Sequence, residues 1–578
     1  MLQVREKSKL YGEISFERLR LFLNAFCAEN SNCTAAYISQ AKSLGCTSTK
    51  LAQKIRTMQG IMQWEEFPLK LLPFCIASPS SRLQAIPTSL KGMEMALAST
   101  TSSPKITKDQ NLKDYILNLQ RQINTNIIGS TSIKTQSSYP IYQPPQPLND
   151  LPQTPQELPP LFFLFCIKLL FVNRPQRKAQ QEETSDARRR ITKRLVIALK
   201  CSLILGFATF LGLLFSKPDG YWAVLTVAVT FSPSRQSTFR IATARAHGTA
   251  IGSFFGVMGT LVSEDHMELR LLLLVPWIVF TTFLQRSKIY GQAGAMAAVL
   301  SAMIIMGRRG YGSPIMFTID RLTETYIGFC CVIFVELIVQ PTSARLVASL
   351  QALDECIESI KNINELKVKE RELVKRVNQL KKYVEEAQLE PNLWFLPFPA
   401  ACYCELHRSL TSIGDLLLFL VHGLESLDQE CREIDEAIKG DLDKFKESVG
   451  GLVKGLVEVI KVNSLDRLEK DLKRKAGGND IEEGKGESPW ANYWADECVG
   501  SLLQHAKEIV ERVDEDASGG LRSQLVLSFA TVGFCIEGLM REVKEMEKGA
   551  LDFLQEENPH SNINFFEISC KIKRVSSC

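Results

Sequence analysis

The sequence lacks the short motifs that announce common enzymes. No GxSxG, no HExxH and no paired CxxC occurs. The one lysine in a glycine-rich setting, Gly478 to Gly484-Lys485-Gly486, has the wrong spacing for a phosphate-binding loop. It also lacks the following Ser or Thr and an apolar strand before it. Histidine is scarce, with six in 578 residues. Cys404 and His407 fall one helical turn apart near Cys402, but a bound metal needs about four ligands. No enzyme activity, metal or cofactor is therefore expected. An excess of one charge is missing too. Lys plus Arg total 68 and Asp plus Glu total 64, a net +4 that gives no case for a nucleic-acid partner. The 16 cysteines are scattered from Cys27 to Cys578 without repeated spacing, which argues against a disulfide framework and for a reducing compartment. The first 22 residues carry charge in every turn, so no cleavable secretory signal is expected and membrane insertion falls to internal segments.

What is present is unevenly distributed. A chain of this length suggests about three or four units. Residues 1–135 read as a soluble helical region, with Ile14, Leu19, Phe22 and Phe26 at helical spacing. Residues 136–160 read as a Pro-rich linker. Eight prolines fall within 139–160, and proline fixes φ and removes a backbone donor, so no helix is expected there. Residues 161–190 read as an interfacial helix and a basic cytoplasmic segment. The run LFFLFCIKLLFV at 161–172 is twelve residues long and holds Lys168. A run of that length is interfacial or buried in protein more often than spanning, with a seventh span as the alternative.

Residues 191–340 carry six apolar stretches, near 193–215, 220–233, 246–262, 268–284, 289–306 and 319–340. A bilayer core of about 30 Å takes about 20 helical residues. The first and last stretches meet that length, and the second is short. Six such stretches with short loops leave no polar face for water, which disfavours a large soluble helical core. The fold class is thus all-α: a polytopic six-helix transmembrane bundle followed by a cytoplasmic helical domain. Arg174, Arg177, Lys178, Arg188, Arg189, Arg190, Lys193 and Arg194 precede the first stretch. Basic and non-basic loops then alternate, with Arg308 and Arg309 as the exception. By the positive-inside rule, both termini are expected in the cytoplasm.

Residues 341–560 read as the cytoplasmic helical domain, and 561–578 as a tail. Leu350, Leu353, Ile357, Ile360 and Ile363, then Leu373, Val377, Leu380 and Val384, form an apolar seam. It fits one long helix running on from the last span, or a helical hairpin. Further helices are expected at 400–421, 443–474, 497–514 and 521–555, with a flexible loop at 475–489.

Ionisable residues at membrane depth are the candidate functional groups, because each costs about 2.5–3.5 kcal/mol to insert and is kept where it faces protein or water. They are Lys200, Arg245, His247, Arg321 and Glu324. Lys200 either snorkels to the interface or faces a path. Arg321 is either a pathway cation or the internal partner of Glu324. A cation beside a water-filled path favours an anion. Gly248, Gly252, Gly256 and Gly259, with Thr249, give one helix a small-residue face. That face allows close packing, either fixed or at a moving interface.

The run KPDGYWAVLTVAVTFSPSRQSTFRIATARAHGTAIGSFFG resembles the signature of the fusaric acid resistance and aromatic acid exporter family. Its most specific parts are Tyr221-Trp222 and Arg245-x-x-Gly248-Thr249-x-x-Gly252. Arg321-x-x-x-Thr325-x-x-Gly328 before Pro341 is also similar, as is PNLWFLPFPAACYCELHRSL, which resembles plant members described as p-hydroxybenzoic acid efflux pump subunit-like. More distantly the chain resembles aluminium-activated malate transporters. The resemblance implies a multi-pass membrane protein, in the plasma membrane as a first expectation, moving organic anions and often aromatic carboxylates. Fuller members have two six-span halves. One half here implies a half-transporter pairing with a second copy or a second half, or a chain whose first half lies upstream. The competing class is a non-transporting membrane scaffold or regulatory subunit whose cytoplasmic helices hold partners.

Overall fold

The computed structural model describes residues 2–28, 30–65, 80–100, 116, 118, 152, 154–172, 183–215, 220–231, 235–263, 266–287, 291–306, 313–339, 343–388, 398–430, 436–461, 493–512 and 519–557. The described residues are helical throughout, in sixteen α-helices and one short 3₁₀ turn, with no strand among them. The chain divides into two compact units. One comprises residues 1–177, 347–377 and 405–578, and the other 178–346 and 378–404.

The first unit draws on both ends of the chain. Helices α1 (Leu2–Cys27) and α2 (Ser31–Glu65) form an antiparallel hairpin. Tyr11 packs with Ile55, and Arg18 Nε donates to the Ala41 carbonyl at 3.2 Å. Helix α3 (Ser80–Ser99) follows. Then comes the 3₁₀ turn Pro155–Glu157, which leads directly into α4 (Leu158–Val172). The proline stretch therefore ends in helix, contrary to the expectation for 139–160. Pro159 and Pro160 sit in the first turn of α4, where their missing N–H groups have no intrahelical acceptor to lose. Residues 139–151 of that stretch lie outside the described residues.

Helix α4 is the middle of this unit rather than an interfacial helix. Every residue from Leu161 to Leu169 is buried. Phe163 stacks on Phe26 of α1 at 4.4 Å. Phe162 stacks on Phe534 at 4.2 Å and meets Phe419 edge-on at 5.1 Å. A helix apolar on all sides belongs where protein covers all sides. Phe419 lies on α13 (Ala400–Glu430) and Phe534 on α16 (Gly519–Glu557). These two helices run antiparallel, since Gly423 abuts Val532, Gly538 abuts Leu416 and Gly549 abuts Leu406.

The seam after residue 341 folds as a hairpin, not as one long helix. Helices α11 (Ser343–Glu358) and α12 (Ile363–Ala387) are separated by a turn at 359–362. Lys369 Nζ reaches Glu355 at 2.7 Å, and Arg376 Nη1 donates to the Ala348 carbonyl at 2.9 Å, which fixes the antiparallel register. The seam residues are buried except Ile363, which is half-buried. Helices α14 (Glu436–Lys461) and α15 (Tyr493–Glu511) complete the unit. The loop expected at 475–489, the end of the expected helix 443–474, and most of 391–400 lie outside the described residues.

The second unit holds α5 (Glu183–Phe215), α6 (Tyr221–Thr230), α7 (Arg235–Ser263), α8 (Met267–Gln285), α9 (Gly291–Met306) and α10 (Pro314–Val339). Each carries one of the six apolar stretches. Helix direction alternates along the chain. Gly212 of α5 touches the turn residue Gly220 at the start of α6, so those two are antiparallel. Gly248 and Gly252 of α7 meet Ala293 and Ala297 of α9 in the same order, so α7 and α9 run parallel, as helices two apart must. Between them α8 stacks Trp277 on Phe255 at 3.9 Å. The loops 216–219, 232–234, 264–265, 288–290 and 307–312 lie outside the described residues, while Arg235, Arg240 and Arg245, which entered the expected orientation, fall within α7.

The surfaces of the two units differ. Among the described residues, four helices are long and apolar enough to cross a membrane: Ala198–Phe215, Met267–Gln285, Ala400–Glu430 and Gly520–Glu556. The last two bury most of their apolar stretch inside the first unit. The first two leave theirs bare, with 17% and 6% buried. Among the described residues, all exposed large hydrophobic side chains except Leu10 and Val368 lie between Leu195 and Phe334. Exposed apolar side chains concentrated in one unit mark a surface that lipid or another protein covers.

Candidate functional site

Among the described residues, the buried charged side chains of the second unit lie on α10. Arg321 is 3% exposed and Glu324 fully buried, and Arg321 Nη1 lies 2.9 Å from Glu324 Oε2. The spacing of three on one helix puts the two side chains on the same face. Two rings bracket the guanidinium. Its carbon is 4.6 Å from the Trp222 ring centre on α6 and 5.1 Å from Phe317, one turn earlier on α10. A cation over an aromatic face is attracted by the ring quadrupole, most strongly where water is excluded. Thr325 Oγ1 turns back to the Arg321 carbonyl at 2.7 Å.

Close approach of α6 to α10 depends on one glycine. A Cβ on Gly328 would lie 2.8 Å from the Ala223 carbonyl oxygen and 3.0 Å from Thr226 Cβ. Trp222 thereby comes within reach of Arg321, two turns before Gly328 on α10. The parallel seam of α7 on α9 is tighter still. A Cβ on Gly248 would fall 2.4 Å from the Ala293 carbonyl oxygen, and one on Gly252 2.7 Å from that of Ala297. Gly256 and Gly259 face Ile304 and Ile305. Thr249 on the same helix is buried.

The other expected residues are placed differently. Arg245 is half-buried. Its Nη1 donates to Thr230 Oγ1 at 3.3 Å, and its Nη2 lies 3.2 Å from Met296 Sδ, so it ties α7 to α6 and α9. His247 is exposed, with Nδ1 2.8 Å from the Thr243 carbonyl oxygen of its own helix. Lys200 is half-buried on α5. The structure thus brings Arg321 and Glu324 together as a pair on one helix. Asp320 is exposed.

Trp222 and Phe317 were not among the candidates. Phe317 was findable, because it lies four residues before Arg321. Trp222 belongs to the signature run, but its role depends on a second helix. An open depression of about 450 Å³ lies between α5 and α6, lined by Thr209, Leu213, Tyr221 and Leu225 among others. Its walls are almost wholly apolar and include none of the expected cations. Among the described residues no group of His, Cys, Asp and Glu has the geometry of a metal site.

Residues 207–335 match the family model described as fusaric acid resistance protein-like. The membrane segment is thus similar to that family. A search of curated proteins finds no match to the chain. The fusaric acid resistance protein-like match begins within α5 and ends within α10, and so contains the whole Arg321 site. Together with the bare apolar helices, it points to an integral membrane protein.

Proposed function

We propose that the chain is a half-transporter that exports organic anions, aromatic carboxylates above all, through the bundle α5–α10. The observation that carries the reading is the Arg321 guanidinium held between Trp222 and Phe317 in the interior of an apolar unit. A carboxylate is the natural ligand of a buried guanidinium, and it pairs through charge-assisted hydrogen bonds. Two flanking rings offer apolar faces to an aromatic substrate body and none of the polar groups a sugar or peptide would need. The family description, fusaric acid resistance protein-like, names resistance to an aromatic carboxylic acid and agrees with export. The glycine seam of α7 on α9 supplies a smooth interface on which helices can shift.

Topology supports six crossings. Helix α4, before the bundle, and α13 and α16, after it, share one core. The chain therefore enters and leaves the bilayer on the same side, which requires an even number of spans. The short α6, ten residues or about 15 Å long, spans with help from its neighbours. The basic run from Arg174 to Arg194 puts that side in the cytoplasm, and pairing with a second copy or a second half would restore twelve spans.

The test is efflux of labelled p-hydroxybenzoate from proteoliposomes holding this chain alone. Saturable flux above empty vesicles supports transport, and Arg321→Ala, verified as inserted, abolishes it. Unchanged flux in that variant removes Arg321 from the mechanism. One observation favours a second reading. The Arg321–Glu324 pair is closed within one helix, as a non-transporting membrane scaffold requires. Absence of flux from inserted protein against a panel of aromatic carboxylates decides for the scaffold.

A further inference from the structure

We infer that Glu324 is a tethered counter-ion that exchanges places with the substrate carboxylate on Arg321 and takes up one proton each time it leaves, so that anion and proton cross together. The inference rests on the reading of Arg321 as the anion-binding group. Its starting point is the closed state of the site: a cation and a carboxylate 2.9 Å apart, both shielded from solvent, with an aromatic ring on each flank of the guanidinium. Glu324 stands where the carboxylate of a substrate would stand.

Charge balance dictates the rest. Arg321 and Glu324 sum to zero. A substrate carboxylate that displaced an ionised Glu324 would leave two anions and one cation in an apolar interior. An uncompensated buried charge is strongly destabilising, and such a group neutralises instead. Among the described residues, the helices packed on α10 offer little to offset it. In their apolar portions the ionisable groups are Lys200 on α5, Tyr221 on α6, and Arg245 and His247 on α7, while α9 carries none. Arg245 is engaged by Thr230 and Met296, His247 and Tyr221 are exposed, and Lys200 is half-buried. On α10 itself the exposed Asp320 adds only negative charge.

The step balances with a proton from water. An O–H bond forms on a Glu324 carboxylate oxygen, the Arg321–Glu324 ion pair breaks, and Arg321 pairs with the incoming carboxylate. The site stays neutral. On the far side the anion leaves, Glu324 gives its proton to water and pairs again with Arg321. Each cycle moves one carboxylate and one proton in the same direction, with no net charge.

The test uses the full chain in proteoliposomes at pH 7.5 with labelled p-hydroxybenzoate. Flux into protein-free vesicles is subtracted to remove diffusion of the undissociated acid. A potassium diffusion potential and a pH gradient are imposed separately. Wild-type accumulation should follow the pH gradient and ignore the potential. Glu324→Gln should become indifferent to the pH gradient and carry the anion alone. Its accumulation ratio would then change by about 50-fold per 100 mV, the equivalent of about 2.3 kcal/mol per charge. Wild-type accumulation that follows the potential overturns the proton exchange and leaves the transport reading standing. Absence of protein-dependent flux in inserted wild type overturns both. If Glu324→Gln does not insert, the wild-type response to potential still decides.

Discussion

Two pairs of helices in this chain have similar apolar character and opposite surroundings. Ala400–Glu430 and Gly520–Glu556 bury 61% and 83% of their most apolar stretch, whereas Ala198–Phe215 and Met267–Gln285 bury 17% and 6%. Length and composition place all four among membrane-spanning candidates. What separates them is covering. α13 and α16 pack on each other and on α4, whose Phe162 meets Phe419 and Phe534. α5 and α8 turn Phe210, Leu214, Leu272 and Phe283 outward. Hydropathy measures what a helix would gain by leaving water. It does not say whether protein or lipid takes the water's place.

The largest expected effect probes the covered region. Lys168 is buried in the core of the first unit, with Nζ 2.8 Å from Glu430 Oε1 and 3.0 Å from Ser426 Oγ. Ser528 Oγ lies 2.9 Å from Ser426 Oγ and 3.3 Å from Glu430 Oε2. Glu430→Ala leaves the ammonium buried without its counter-charge and should destabilise the unit by about 3–5 kcal/mol. The double variant Lys168→Met with Glu430→Leu should recover most of that loss. Thermal unfolding in detergent measures both. A single variant as stable as wild type would mean that this helix reaches water, and would return α4 to an interfacial position.

The next effect tests the bare region against the covered one directly. Val279 lies near the middle of α8 and is 66% exposed, and Val368 in the first unit is 56% exposed. In water, Val→Lys at either site would shift stability by no more than about 0.5 kcal/mol. In a bilayer, Val279→Lys should cost about 2.5–3.5 kcal/mol of insertion, while Val368→Lys stays near zero. Membrane-integrated yield of the two variants reads the difference. Equal yields would show that lipid does not cover α8. Within the same unit, Gly252→Leu drives a side chain into the Ala297 carbonyl. Overpacking there should cost about 1–3 kcal/mol and loosen α7 from α9, seen as faster proteolysis of inserted protein.

The sequence located every apolar helix of the second unit but misjudged where some begin. Helix α5 starts at Glu183, ten residues before the apolar run, because Ala, Arg, Glu and Lys are good helix formers that carry no apolar signal. The start of α4 inside the proline stretch was missed for a related reason. Proline forbids the interior of a helix but suits its first turn. The two candidate residues that pair in the structure, Arg321 and Glu324, were legible from their depth in an apolar run. Spacing of three allowed their pairing without requiring it. Trp222 as a partner of Arg321 was not legible, since spacing reports neighbours on one helix and this contact joins two. The burial of α4 was left open for the same reason. It depends on Phe26, Phe419 and Phe534, which are brought together from residues more than 500 apart.

The smallest expected effect concerns protons in the covered region. Burial pushes the Glu370 carboxyl up to about 7. Arg371 opposes the rise, Asp415 adds to it, and Lys367 opposes it again. Burial likewise raises Asp415 to about 6, with Lys91 opposing and Glu94 adding. Glu425 goes the other way, down to about 2, chiefly through its hydrogen bond with His422 and also through Lys367. For Glu370 and Asp415 the folded state binds protons more tightly than the unfolded one. Their contribution is complete below about pH 4, where both forms are protonated, and is lost as pH rises through 6 and 7. The contribution of Glu425 is present above about pH 4.5 and is lost only as pH falls toward 2, so it does not change across this window. The first unit should therefore lose about 1–2 kcal/mol between pH 5 and pH 8. Cys166 and Cys535, both fully buried in that unit, report its opening through thiol labelling normalised to labelling in denaturant. Their protection should fall as pH rises, and Glu370→Gln should flatten the dependence. Protection that rises over the same interval would mean that Glu370 is ionised and paired in the folded unit, held by Arg371 and Lys367 against the cost of burial.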